Sequence, residues 1–190
     1  MSSSIRVGGN IMTLTAYNHV PIPTFMYGTA WKKEATKELV QLAVASGFTA
    51  IGTANQLIHY QEALVSEALQ ALEKKGIKRN TLFLQTKFTS VNGQDHRTPY
   101  DASADLTTQV RQSFDSSLTH LCTEYVDSYV LHGPHQRRGL GEADWEVWAA
   151  MEREKGTGYF SVERVSAHML EALRAANSQR TTGWIRLSRY

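Results

Sequence analysis

The sequence predicts an α/β fold of parallel strands, and three observations carry that reading. From Thr24 onward, short apolar runs alternate with stripes of helical period, the pattern of strands joined by crossover helices. Two runs, Phe83-Leu84-Gln85-Thr86-Lys87 and Tyr129-Val130-Leu131-His132-Gly133-Pro134, end in a polar, chemically capable residue. Strands buried in a parallel sheet do this where they deliver side chains to its C-terminal rim. No G-x-G-x-x-G turn follows an early strand, so a doubly wound dinucleotide fold lacks its phosphate signature. A closed eight-unit barrel typically takes ~250 residues, with ~200 as the floor, against 190 here. An incomplete (β/α)8 TIM-type barrel of about six βα units accounts for all of this.

Residues 1–23 are polar, then alternating, and close on Pro21-Ile22-Pro23. They read as a loose tail and a short hairpin or extended lead-in, with the partial barrel domain over 24–190. Phe25-Met26-Tyr27 is the first strand. Glu34 to Ala45 is the first helix, with Leu39, Val40, Leu42 and Ala43 as its face and Gly47 as its stop. The second strand is Phe48 to Ile51. The second helix runs from Glu62 to Lys75, buries Leu64, Val65, Ala68, Leu69 and Leu72, and closes at Gly76. The third strand is Leu82 to Thr86, followed by a polar loop from Ser90 to Asp105. Val110, Phe114, Leu118 and Leu121 recur at helical spacing and define the third helix. The fourth strand is Tyr125 to Leu131 and the fourth helix Asp144 to Glu154. A fifth strand (Tyr159 to Val162), a helix (Ser166 to Asn177) and a weak sixth strand (Trp184 to Leu187) follow.

Composition narrows the function classes. Hydrophobic content of 42% and charged content of 20% are those of a globular chain. A net charge of +2 gives no reason to propose nucleic acid or an anionic membrane as partner. No run approaches the ~20 apolar residues of a membrane span, and Met-Ser-Ser-Ser-Ile-Arg at the start has no secretory apolar core. The single cysteine, Cys122, cannot form an internal disulfide and sits where the third helix ends, so it reads as packing in a reducing, cytoplasmic compartment.

Three polar residues fall at strand ends or in the loops beyond them: Tyr60 after the second strand, Lys87 ending the third, His132 ending the fourth. A tyrosine with its ordinary pKa near 10 is a poor acid at neutral pH, and an adjacent ammonium lowers that value. The tyrosine then gives a proton to a carbonyl oxygen as hydride arrives at the carbon, while a histidine orients and polarises the oxygen. Singly, each residue has an ordinary reading as a solvated rim charge, a turn cap or a packed ring. Their shared rim is what points to chemistry.

The chain resembles the aldo-keto reductase superfamily from about Ile22 to Glu152. The stretches that carry the resemblance are Tyr27-Gly28-Thr29-Ala30-Trp31, Gly47-Phe48-Thr49-Ala50-Ile51-Gly52-Thr53-Ala54, His59-Tyr60-Gln61-Glu62-Ala63-Leu64-Val65 and Leu84-Gln85-Thr86-Lys87. They continue in order through Ser117-Leu118-Thr119-His120-Leu121, Tyr125 to Pro134 and Trp148-Ala149-Ala150-Met151-Glu152. The resemblance implies a (β/α)8 barrel, NADPH-dependent reduction of a small-molecule aldehyde or ketone, and a Tyr-Lys-His-Asp tetrad, of which Tyr60, Lys87 and His132 match three. Thr29 and Arg186 are the candidate cofactor contacts, and no metal is implied.

The family's aspartate is replaced by Gly52, which implies that Lys87 loses its orienting anion. Ser161-Val162-Glu163-Arg164 stands where the family carries a Gly-Val-Ser-Asn strand end, Ile185-Arg186-Leu187 where it carries a glutamine. The last two βα units, which hold much of the cofactor phosphate site, have no counterpart, so weak or absent NADPH binding is expected. The open barrel edges call for a cover, a second copy of the chain being the candidate. The leading reading is a carbonyl reductase. The alternatives are a degenerate non-redox member that binds a small molecule or partner without nicotinamide, and a product of truncation or an altered reading frame.

Overall fold

The computed structural model describes residues 14–15, 21–136, 139–155 and 160–165. A short antiparallel hairpin pairs β1 (Leu14–Thr15) with β2 (Pro21–Ile22). Five parallel strands follow in chain order: β3 (Tyr27–Gly28), β4 (Ala50–Gly52), β5 (Phe83–Phe88), β6 (Val126–Leu131) and β7 (Phe160–Val165). The helices α1 (Thr36–Ala45), α2 (Glu62–Lys74), α3 (Leu106–Leu121) and α4 (Glu142–Lys155) connect them in turn. Strand neighbours that are also neighbours in sequence, joined by helices, are the repeating unit of a βα barrel. Among the described residues β3 and β7 are the end strands, and the sheet is open between them.

The near-continuous burial of β5 and β6 explains their apolar composition, because each face of the sheet meets its own cluster. On one face Leu84, Phe88, Tyr129 and Leu131 pack against Val65 and Ala68 of α2 and Val110 and Phe114 of α3. On the other, Phe83 packs with Ala50 and Ile22, and Met26 lies against them. Alternation then places Gln85 and Lys87 on the Phe83 side. The register sets Gly52, Gln85, Ser128 and Val162 in one row and Lys87, Val130 and Arg164 in the next. At the opposite end, Arg79 binds Asp127 at 2.8 Å and the carbonyls of Leu82 and Tyr125, while Asp127 accepts from the Leu84 amide. This clamp fixes the relative heights of β5 and β6, and hence of their far ends.

Several elements differ from the sequence expectation. The first strand is Tyr27–Gly28, because these residues pair with Ile51 and Gly52, whereas Phe25 is 75% exposed. The second strand correspondingly begins at Ala50. Leu42 is not on the buried face of α1 but 61% exposed. At about 100° per residue it lies about 200° from Val40, on the far side of the helix. Cys122 does not pack: it is exposed and takes the left-handed conformation (φ 48°) that ends α3. The α3 start is as the pattern requires, with the Asp105 carboxylate accepting from the Thr108 amide at 2.9 Å. α4 begins at Glu142, two residues early, because buried Asp144 accepts from the amides of Gly141 and His135 and draws the turn into the helix. β7 runs on to Val165, since Glu163 and Arg164 continue the pairing with Tyr129 and Val130. The expected tail up to residue 13, the helix from Ser166, the strand from Trp184 and Arg186 lie outside the described residues. No helix among the described residues is long and apolar enough to cross a membrane.

Candidate active site

The three candidates converge at the C-terminal ends of the strands. Lys87 lies on the Phe83 side of β5, and its ammonium donates to the carbonyl of Thr53, just beyond β4, at 2.7 Å. The loop after β4 brings Tyr60 back over that lysine: the Tyr60 amide donates to Gln56 O, and the Lys87 Nζ stands 4.8 Å from the Tyr60 ring centroid. His132 follows β6 directly. Its amide extends the sheet pairing by donating to Phe88 O, and its ring meets Tyr60 edge-on at 5.7 Å. The His132 Nδ1 is 2.8 Å from the Thr89 hydroxyl, which sets the orientation of the imidazole.

Burial governs the electrostatics. It pulls the Lys87 ammonium from its ordinary value of 10.5 down to about 8, while the charge of Glu62 works against that fall. Burial raises the Tyr60 phenol, the opposite direction to the lowering expected from a lysine neighbour. The phenol therefore keeps its proton at neutral pH. Because the folded value of Lys87 lies below the unfolded one, the unfolded chain holds more protons between about 8 and 10.5. Lys87 therefore makes stability rise with pH from about 8, and the raised phenols of Tyr60, Tyr27 and Tyr100 oppose that rise above their ordinary value of 10.0. Urea unfolding at a series of pH values should show this rise in the wild-type chain and lose it in Lys87→Met. Parallel pH curves for the two would contradict the burial of the ammonium.

Thr29 is fully buried, and its hydroxyl donates to the Gly52 carbonyl at 3.0 Å. Gly52 leaves no room by default: a Cβ there would lie 2.8 Å from the Met26 sulfur, which fills the space. Lys87 is consequently oriented by a carbonyl rather than by a carboxylate in the β4 row. Two groups absent from the sequence candidates complete the surroundings, Thr89 behind His132 and Glu62 at the start of α2. Glu62 has a periodic signal, since Val65, Ser66 and Leu69 follow it at the three-, four- and seven-residue spacings of one helix face. Thr89 has none, as an isolated threonine after a strand is unremarkable. Trp31, 65% exposed, stacks on His59, the residue before Tyr60, with ring centroids 3.6 Å apart. Among the described residues, no group of three or more His, Cys, Asp or Glu side chains is arranged to hold a metal ion.

The chain as a whole is similar to known proteins. A family model described as the aldo/keto reductase family matches residues 24–188. An uncharacterised oxidoreductase, YtbE, of Bacillus subtilis is 28% identical over 166 residues, covering 85% of this chain and 53% of that protein. Morphine 6-dehydrogenase of Pseudomonas putida is 27% identical over 157 residues, 80% of this chain and 45% of the relative. The chain thus spans about half the length of the curated relatives it matches. The crystal structure of an aldo/keto reductase from Brucella melitensis superposes with a TM-score of 0.65 at 24% identity, over 88% of this chain and 60% of that one. That of a Bombyx mori aldo-keto reductase in complex with NADP gives 0.67 at 19% identity, over 90% and 55%. These likenesses establish the barrel character of the open sheet.

Proposed function

Because the chain belongs to the aldo/keto reductase family, we propose that its rim site reduces the carbonyl of a small molecule to an alcohol, with NADPH as hydride source. The observation that carries this reading is the cluster itself: a part-buried ammonium 4.8 Å from the Tyr60 ring centroid, with the His132 ring centroid 5.7 Å from that of Tyr60. When bound, the nicotinamide would supply the hydride. The Tyr60 hydroxyl, held protonated by burial, gives its proton to the carbonyl oxygen. Lys87 stabilises the phenolate left behind, its position set by the Thr53 carbonyl. His132, braced by Thr89, orients the carbonyl oxygen.

The described residues fit the reacting end of the cofactor better than its phosphates. Lys87 is held on Thr53, and the guanidinium of Arg97, in the loop after β5, is bound by Asp95. Anion capture requires aligned backbone donors or cations not otherwise occupied, so we expect NADPH to bind weakly. Gly52 favours a second reading, a binding protein of reductase ancestry without redox turnover.

One experiment separates the two. The purified chain is assayed for NADPH consumption against a panel of aldehydes and ketones, with NADPH affinity followed by fluorescence. Slow reduction with weak cofactor binding is the expected result. Gly52→Asp should increase the rate by placing a carboxylate near Lys87, and adding Met26→Ala should increase it further by clearing the 2.8 Å sulfur contact. A folded, NADPH-binding double variant with no gain would favour the binding-protein reading. A tight stoichiometric NADPH complex of the wild-type chain would overturn the expectation of weak binding.

A further inference from the structure

Glu62 is 3% exposed, yet it is a carboxylate. Such a group is retained in a core only when its lone pairs are occupied. Here the Thr86 hydroxyl donates to Oε1 at 2.5 Å, the Ser117 hydroxyl to the same oxygen at 3.1 Å, and the His120 Nδ1 lies 3.3 Å from Oε2. The partners come from β5 and α3, and Thr86 is the residue directly before Lys87. The Glu62 carboxylate is thus anchored through a hydroxyl to the strand that carries the lysine. Tyr60 is two residues before Glu62, and both line one small cavity of about 60 Å³ with Asn55, Gln56 and His120.

A carboxylate held by two hydroxyls and a partly exposed histidine is more than is needed to cap a helix. Its own hydrogen bonds do not reach Lys87, whose ammonium is on Thr53 O. What does reach Lys87 is its charge, because Glu62 is buried and bonded to Thr86, the residue next to Lys87, and a protein interior screens charge poorly. We propose that Glu62, held by Thr86, Ser117 and His120, is a positioning residue that supplies the negative charge for Lys87 which Gly52 lacks. The assignment as a positioning residue rests on the reductase reading of Lys87. The electrostatic coupling can be measured without cofactor or substrate.

The direction of the Glu62 effect on Lys87 agrees: it opposes the lowering caused by burial. The same carboxylate raises His120, first through the hydrogen bond and then through its charge, against the effect of burial. The ionisable groups around this pair are Tyr60 in the loop before α2, His132 after β6, and His120 on α3. Of these, His120 is 38% exposed and connects the buried carboxylate with solvent.

The test is a nuclear magnetic resonance titration of the full chain carrying isotopically labelled lysine, with Lys87→Met used to assign the signal. Glu62→Gln keeps an oxygen for Thr86 and Ser117, removes the charge and turns the atom facing His120 from an acceptor into a donor. It should lower the Lys87 pKa by roughly half a unit or more. His120→Lys sets a permanent cation against Oε2 from the exposed side and should shift Lys87 in the same direction, even if Glu62→Gln does not fold. An unchanged Lys87 titration in His120→Lys, or in a folded Glu62→Gln, would overturn the proposal. These outcomes do not depend on turnover: a chain that reduces no carbonyl but shows both shifts leaves the coupling standing and sinks only the reductase reading.

Discussion

Tyr60→Phe should reduce carbonyl turnover by roughly 100- to 10,000-fold, the range over which a positioned general acid contributes. The substitution is unusually clean here. Phenylalanine keeps the ring beneath the Lys87 ammonium and the edge contact with His132, so the electrostatics and packing of the cluster persist. Only the proton donor is lost. The loss should appear in kcat and kcat/KM together, because the proton moves in the transition state and not on substrate binding. Unfolding midpoints should be unchanged or slightly higher, since a half-buried hydroxyl is removed. A variant that reduces carbonyls as fast as the parent would show that Tyr60 is not the acid, and water or His132 would then have to supply the proton.

Phe114→Ala should destabilise the chain by about 3–5 kcal/mol, the usual penalty for emptying a buried aromatic site. Phe114 is fully buried on α3, and its ring lies 4.7 Å from that of Tyr129 on β6 at 55°. The pair joins helix to sheet directly behind the strand that leads to His132. Against a total stability of about 5–15 kcal/mol for an ordinary domain, that loss leaves little. Guanidinium unfolding monitored by circular dichroism would read it. A loss below about 1 kcal/mol, in the range of a surface change, would mean that α3 does not depend on this contact. An equivalent truncation at Leu42, 61% exposed on α1, should change stability by no more than about 0.5 kcal/mol.

The rim cluster was legible because each member ends or follows a strand, and parallel strands place their C-terminal ends together whatever packs behind them. Lys87 after Phe83-Leu84-Gln85-Thr86 and His132 after Tyr129-Val130-Leu131 announce their height in the sheet by the end of an apolar run. The direction of the Tyr60 shift was not legible. It depends on whether burial outweighs a neighbouring cation, and burial of a loop residue is set by the chain that folds over it. For the same reason the partner of Lys87 proved to be a backbone carbonyl, which no side-chain pattern records.

By itself the sequence determined the order of strands and helices, the parallel barrel character of the sheet and the rim on which Tyr60, Lys87 and His132 stand. Periods of two and of 3.6 are local properties, readable within a dozen residues. Only the tertiary structure decided that the first strand is Tyr27–Gly28, that Leu42 and Cys122 face solvent, and that Met26 occupies the space beside Gly52. It also brought Glu62, Thr86, Ser117 and His120 to one point across gaps of 24, 55 and 58 residues. Such meetings depend on how α2 and α3 settle against β5, a choice made by the packing of whole elements and not by any local pattern.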